Sequence, residues 1–493
     1  MSITQLARPF LMRRAKEIEK RSLNTEEVQR SVLSALVARA EQTQWGREYG
    51  YDSVGSYETF AGRVPVNTYE ELKNHIDLMR QGEADVLWPG RVRWYAKSSG
   101  TTNDKSKFIP VSADGLRDTH YAGGRDAVAL YLRNHPKSKI FDGRALILGG
   151  SHAPNYNLPH SLVGDLSAIL IENINPVVNL IRVPKKSTAL LADFEEKRDR
   201  IAREALNKNV TNLSGVPSWM MSVISRVLEL SGKDTLEQVW PNLEVFFHGG
   251  VAFTPYREQY RRIIRSPKMN YMETYNASEG FFGLQSDPDD SSMLLMTDYG
   301  VFYEFIPLEE VGKPNPHVIP LWQVECGRNY AIVISTSSGL WRYQIGDTVR
   351  FTSTRPYKFV ISGRTKCFIN AFGEELIVDN AEQGLRSLRS HRCRGERVYR
   401  RAGIHERRGT LPPPMGHRVR YTAGRSRSLC RPAGPSVAKH QLRLRSQALQ
   451  EPHAATPRDY SGTRRPLRRL VAQPRKTGRT AQGATTEQQP QEH

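Results

Sequence analysis

Cysteine is scarce: four in 493 residues, at Cys326, Cys367, Cys393 and Cys430. None pair at metal-ligand spacing, and their number is low for a disulfide framework, which sets aside a zinc module and a stapled secreted scaffold. No run of about 18 apolar residues occurs, so no segment has the make-up of a membrane-spanning helix. The amino terminus, MSITQLARPFLMRRAKEIEKRS, holds no uninterrupted apolar stretch of secretory-signal length. The expectation is a reduced, soluble, cytoplasmic protein without a membrane partner.

A second scarcity is local. Residues 386–493 contain no Phe and no Trp, and only 13 of these 108 residues are Leu, Ile or Val. They hold 23 Arg and 2 Lys against 6 Asp and Glu, a balance of +19 out of the chain's +20. The first 385 residues, with 46 basic and 45 acidic side chains, are nearly neutral. A segment with so little to bury cannot offset its ordering entropy and is expected to stay disordered. It lacks the interleaved aromatics that stack on bases, so specific nucleic-acid recognition is not expected of it. Nonspecific, salt-sensitive adhesion to nucleic acid is the alternative that its charge allows.

Upstream the text is that of an α/β protein. EEVQRSVLSALVARAEQ (26–42) sets Val28, Val32, Leu33, Leu36 and Val37 on one helical face, and YEELKNHIDLMRQG (69–82) closes on Gly82. Strand-like runs occur at 144–150, 243–250, 293–306 and 330–336, with helical stretches at 218–232 and 255–264. Strands alternating with helices predict largely parallel sheets covered by helices, with antiparallel parts around 293–360.

Five polar stretches carry the chemistry. In WYAKSSGTTNDKSKFIP (94–110) a strand runs into Ser98, Ser99, Gly100, Thr101 and Thr102, with Lys105 and Lys107 behind. Such a loop offers backbone N–H groups, hydroxyls and a cation to a polyphosphate, although a plain polar turn reads the same way. It is not the G-x-x-x-x-G-K-[ST] pattern, which needs a second glycine. HGGVAFTPY (248–256) ends a strand in Gly249 and Gly250, against which a planar base can lie; Thr254 and Pro255 read as N-cap and first residue of a helix. YNASEGFFG (275–283) displays Asn276, Ser278 and Glu279, the last a ligand type suited to Mg²⁺. WRYQIGDTVRF (341–351) puts Asp347 after a glycine, and SGRTK (362–366) lies just beyond. Singly, HGG reads as readily as a plain strand-to-helix turn, while Glu279 and Asp347 read more readily as a solvated carboxylate and a turn residue.

In this order, over about 270 residues, the series resembles the adenylate-forming enzyme superfamily. The spellings SSGTT-x₄-K-F-I-P, FHGGVAFTPY and ISGRTKCFINAFGEEL are most similar to the Gretchen Hagen (auxin-responsive) acyl-acid amido synthetases, a plant family with bacterial relatives. The likeness covers roughly residues 30–385. It implies a large adenylation domain over residues 1–360, a hinge and the start of a small domain over 361–385, and ATP and Mg²⁺ as cofactors. By the same resemblance Ser98, Ser99, Gly100, Thr101 and Thr102 grip phosphate, with Lys107 as the basic catalytic residue. Gly249 and Gly250 flank adenine, while Tyr275, Asn276 and Ser278 complete the nucleotide pocket. Glu279 is catalytic and faces the metal, Asp347 binds ribose, Arg364 lies near the nucleotide and Lys366 is the hinge pivot. The implied reaction activates a small carboxylic acid as its acyl-adenylate and passes it to an amine, an amino acid; an acyl-CoA ligase on the same scaffold is the alternative, as is a nucleotide-binding module without turnover. Helix 116–134 is expected to line the acid pocket, with Gly123 and Gly124 leaving room for a bulky acid; Arg125 reads first as a solvated helix arginine, with a carboxylate partner as the alternative.

The match stops after Leu385. The tail has the length of the family's small C-terminal domain and the composition of off-frame translation of GC-rich DNA, so a frame shift near codon 385 is expected, with turnover impaired. Sequencing codons 380–400 checks this.

Overall fold

The computed structural model describes residues 2–98 and 106–365, together with the backbone of strands 368–371 and 374–377. The expectations for Ser99, Gly100, Thr101, Thr102, Lys105, Lys366 and the Arg-rich tail lie outside the described residues.

One sheet of twelve strands organises the molecule. Its antiparallel half runs through β12 (Ile319–Pro320), β11 (Val301–Pro307), β13 (Asn329–Thr336), β14 (Tyr343–Thr354), β15 (Tyr357–Arg364), β10 (Met293–Leu295) and β9 (Gly280–Gln285). The order continues into β8 (Asn270–Ala277), β7 (Val245–Gly249), β6 (Val210–Gly215), β3 (Arg144–Ile147) and β5 (Arg182–Val183), all mutually parallel. β8 is the hinge of the pattern, parallel to β7 and antiparallel to β9. A second sheet has the order β2 (Lys107–Val111), β1 (Trp94–Ser98), β4 (Leu162–Gly164).

Burial follows the period of two that strands impose. On β7, Val245 and Phe247 pack with Leu130 of helix Ala122–Asn134 and with Leu11 of α1 (Ile3–Leu23). Phe246 points the other way, into a core with Ile224 of helix Pro217–Ser231 and Ile201 of helix Phe194–Leu206. Both faces are therefore covered, as parallel sheets require. The antiparallel half packs on α2 (Thr25–Ala40), whose Leu33, Leu36 and Val37 are buried with Val28 and Val32 at the edge.

The mixed sheet, the helix over 25–40 and the helix closing on Gly82 in the left-handed region agree with the sequence. Several details differ. α1 gives no clear signal in the sequence, because its apolar residues are spread around charged ones. The run 293–306 is two strands, broken where Asp298, Tyr299 and Gly300 turn the chain. The helix after Gly250 begins at Arg257, so Thr254 and Pro255 form the preceding turn rather than its cap. Helix 116–134 opens as a π-helical stretch, Gly115–Tyr121, before settling to α-geometry. The boundary at 360/361 falls inside β15, which runs unbroken to Arg364.

Candidate active site

Parallel sheets place ligands beyond the carboxyl ends of their strands, where strand direction changes. Here that edge is built by β7 and β8. β7 ends at Gly249, paired with Thr274; a Cβ at Gly249 would lie 2.3 Å from the Thr274 carbonyl oxygen, so strand pairing alone demands glycine there. Gly250 comes next at φ +82°, a conformation that L side chains rarely adopt. β8 carries Tyr275 and Asn276, then folds into β9 through a two-residue turn, Ser278–Glu279, with Ala277 paired to Gly280. A register shift between Tyr275 and Asn276 re-aims the strand at this point.

Asp347 sits on β14 directly after Gly346, which is also left-handed, and opposite Arg364 on β15. Its carboxylate is held from two sides: Tyr275 Oη donates to Oδ2 at 2.6 Å and Arg364 Nε lies 2.7 Å from Oδ1. Burial foremost, then the neighbouring Asp347 charge, pushes the Tyr275 phenol well above its ordinary range, so it is a fixed donor. Glu279 is half-buried, and burial raises its carboxyl to about 7. Asp347 acts in the same direction, while Lys107 and Arg364 oppose it, so all four charges share one electrostatic environment. Lys107 opens β2 opposite Ser98, the last residue of β1. Ser98 and Lys107 are thus the two feet of the hairpin that carries the SSGTT loop, and Lys107 Nζ lies 5.7 Å from the Tyr69 ring centre.

Two further side chains belong here. His120, on the π-helical stretch, has Nδ1 2.9 Å from Asn276 Oδ1; an amide oxygen only accepts, so Nδ1 carries the proton. Burial lowers the ring to about 4, with the Asn276 bond opposing, and His120 is a neutral imidazole at pH 7. Tyr343 Oη is buried without a hydrogen-bond partner among the described residues, within electrostatic reach of Glu279, Arg364 and Asp347. A lone His in a helix and a Tyr in a strand-like run carry no sequence signal. Only the fold assembles them.

The acid-pocket expectations fare differently. Arg125 Nε is bound 2.7 Å from Asp126 Oδ1, and Asp126 also takes Arg14 and Tyr299. Arg125 is exposed, its side chain about two-fifths accessible, and pairs with the buried Asp126 as a solvated helix arginine. Gly123 leaves no empty room, since a Cβ there would lie 2.4 Å from the Phe281 ring; Gly124 does face open space.

A buried phenol without a partner and two carboxylates beside two cations are what a polar, charged ligand would complete. The carboxylates fit Mg²⁺, which takes one or two of them and leaves its other positions to water and phosphate. Among the described residues no group of three or more His, Cys, Asp and Glu could hold a metal without such a ligand.

The chain is similar to known proteins in sequence and in fold. The chain is 26% identical over 400 residues to indole-3-acetic acid-amido synthetase GH3.8 of Oryza sativa subsp. indica, a match that spans 68% of this chain and 65% of that protein. It is 23% identical over 418 residues to indole-3-acetic acid-amido synthetase GH3.2 of Arabidopsis thaliana, 70% of this chain and 75% of the relative. Among solved structures, AtGH3.15 acyl acid amido synthetase in complex with 2,4-DB superposes with a TM-score of 0.65 at 20% identity over 76% of this chain and 75% of that one. A 2-hydroxyisobutyryl-CoA ligase, in complex with 2-HIB-AMP and CoA, shares the fold with a TM-score of 0.51 at 13% identity over 74% of each chain. The GH3 family N-terminal domain matches residues 14–269 and the GH3 family central domain residues 294–364. With more than half its length inside the first of these, the chain belongs to the GH3 family.

Proposed function

We propose that the chain is an ATP-dependent acid–amido ligase, and the observation that carries the reading is the convergence of Tyr275, Glu279, Asp347 and Arg364 at the large sheet, with Lys107 of the second sheet within electrostatic reach of Glu279. A carboxylate is a poor acyl donor because oxide is a poor leaving group. In the first half-reaction a substrate carboxylate oxygen attacks the α-phosphorus of ATP, the bond to the bridging oxygen breaks, and pyrophosphate leaves. In the second, an amine attacks the carbonyl of the acyl-adenylate; the C–O bond to AMP breaks, an amide forms and the amine's proton passes to solvent.

The chain's residues divide the labour. Ser98, Ser99, Gly100, Thr101 and Thr102 with Lys107 hold the phosphates, where fixed donors and a cation offset the charge that builds on phosphoryl oxygens. Gly249 and Gly250 leave a flat wall for adenine, with Asn276 and Ser278 at its edge. Asp347, held by Tyr275 and Arg364, accepts from the ribose hydroxyls. Glu279 holds Mg²⁺, which supplies charge neutralisation to the phosphates. Lys366 is the pivot of the hinge, which follows the end of β15 at Arg364. The reaction belongs to the cytoplasm, where ATP is abundant, and its substrates are a small carboxylic acid and an amino acid.

Exchange of labelled pyrophosphate into ATP, run against a panel of carboxylic acids, tests the first half-reaction. Acid-dependent exchange is expected. Its absence across the panel in folded protein contradicts the proposal. The scaffold shared with an acyl-CoA ligase makes one further comparison informative: AMP release should depend on an amino acid rather than on coenzyme A.

A further inference from the structure

Helix α1 buries one face and turns another, strongly two-toned one to solvent. Leu11, Ala15 and Ile18 pack into the core with Leu130 of helix Ala122–Asn134. On the outer side Ile3, Leu6 and Phe10 are each more than half exposed. Spacings of three and four set them on one line of the helix, an apolar ridge about 10 Å long at 1.5 Å per residue. Arg13 continues that line, and Lys16 and Lys20 follow, all three exposed. Six basic side chains stand on α1 against two acidic ones, and no acidic residue precedes Glu17. Glu17 pairs with Arg13, and Glu19 with Arg133. The ridge is held outward by a firmly pinned helix. Ser2 Oγ lies 2.6 Å from Asp142 Oδ2, and Thr4 donates through N and Oγ1 to Asp142 Oδ1 at 3.2 Å. Arg8 donates to the Leu132 and His135 carbonyls at 2.9 and 3.2 Å, and Arg14 grips Asp126 at 2.7 Å.

Contiguous exposed apolar surface marks a place where something docks. A second copy of the chain fits poorly. Three side chains offer far less than the ~800 Å² per partner of a stable interface. An antiparallel pair of ridges would also set each Arg13 beside the other helix's N-terminus, where the dipole is already positive. A negatively charged lipid surface suits both halves of the face. We infer that α1 docks the protein peripherally on an anionic membrane, Ile3, Leu6 and Phe10 entering the headgroup–acyl boundary and Arg13, Lys16 and Lys20 resting on lipid phosphates. Interfacial helices bury their apolar side about 5–10 Å deep, which an obliquely entering ridge of this length matches. Lys16 and Lys20 lie about 9 and 15 Å beyond Phe10 along the axis, and their long stems let the ammonium groups reach back to the headgroups. Among the described residues no helix is long and apolar enough to cross a membrane, and docking from one side needs none. Asp142, which pins the helix tip, stands just before β3, at the edge where the parallel strands begin. The nucleotide edge, at the strands' carboxyl ends, therefore faces away from the lipid and stays open. The ridge also precedes residue 14, where the match to the GH3 N-terminal domain begins.

Flotation of the full chain with vesicles of phosphatidylcholine and phosphatidylglycerol, three to one, tests the docking. Wild type should float with the vesicles. The double variant Leu6→Ser, Phe10→Ser should bind at least tenfold more weakly at unchanged Tm, since both side chains are exposed in the free protein. Lys16→Gln with Lys20→Gln should weaken binding at least threefold. The charge of residues 386–493 is common to all three proteins and cancels from these ratios. Phe10→Trp reads the insertion itself: brominated phosphatidylcholine in the vesicles should quench its fluorescence beyond the loss that wild type shows. Equal vesicle binding by wild type and the serine variant, no added quenching, or a dimer in ultracentrifugation that the serine substitutions break up would each overturn the inference. Neither ATP nor pyrophosphate exchange enters these measurements, so their outcome stands apart from that of the ligase reading.

Discussion

Asp347 spends both carboxylate oxygens on Tyr275 and Arg364, which fixes its position before any ribose arrives. Replacing it with Asn keeps the shape and removes the charge. Hydrogen bonds to charged groups are worth about 1.5–3 kcal/mol, so Asp347→Asn is expected to weaken ATP roughly 10- to 100-fold with little change in Tm. His248 offers a separate check. Its ring is buried, stacked on Phe253 at 4.2 Å, with Nδ1 unpartnered among the described residues, and burial lowers its pKa to about 3, the Arg257 charge acting likewise. The unfolded state then binds a proton below about 6.5 that the folded state refuses. Stability contributed by the neutral ring is full above that value and is lost as pH falls toward about 3. Urea titrations of wild type and His248→Gln at pH 7, 6 and 5 should therefore show their stability difference shrinking by up to about 1.4 kcal/mol per pH unit below 6. A difference that stays constant contradicts this. Glu279, shifted the opposite way, is common to both proteins and drops out.

At the scale of elements, the strand-end glycines read as a flat wall, and the structure supplies a second reason for one of them. Gly249→Ala sets a methyl against the Thr274 carbonyl on β8 and should cost about 1–3 kcal/mol, read as a lower Tm, through the same β7–β8 pairing that aims Tyr275. Much of the fold was legible because strand runs such as YAIVIST and helix stripes such as Leu33, Leu36 and Val37 repeat a period over many residues. The ordered polar stretches were legible through resemblance. His120 and Tyr343 were not, because each is one ordinary residue in an ordinary element. Their meaning comes from neighbours far along the chain, 156 residues away in the case of His120 and Asn276. Arg125, exposed beside its buried sequence neighbour Asp126, has the surroundings of the solvated helix arginine that the sequence favoured.

Across the whole molecule, one ion pair ties distant segments together. Glu304 on β11 is fully buried, accepts from Tyr57 Oη at 3.0 Å and is gripped by Arg342, which also donates to the Ala61 and Val64 carbonyls. Removing one partner of such a pair leaves a buried charge, and Glu304→Gln is expected to cost about 3–5 kcal/mol in urea denaturation. Residues 386–493 carry the chain's excess charge, and we propose that they are read from a shifted frame. If so, joining residues 1–385 to the alternative reading frame should raise amide formation at least tenfold, and a frame encoding no apolar pattern contradicts it.

The measurement that bears most directly on the site is calorimetric titration of ATP, with Mg²⁺, into the full chain and into Asp347→Asn. A single site per chain, weakened at least tenfold by the substitution at unchanged Tm, is the predicted result. No heat of binding to folded protein, or equal affinity for the two proteins, would show that the edge bearing Tyr275, Glu279, Asp347 and Arg364 is not where a nucleotide sits.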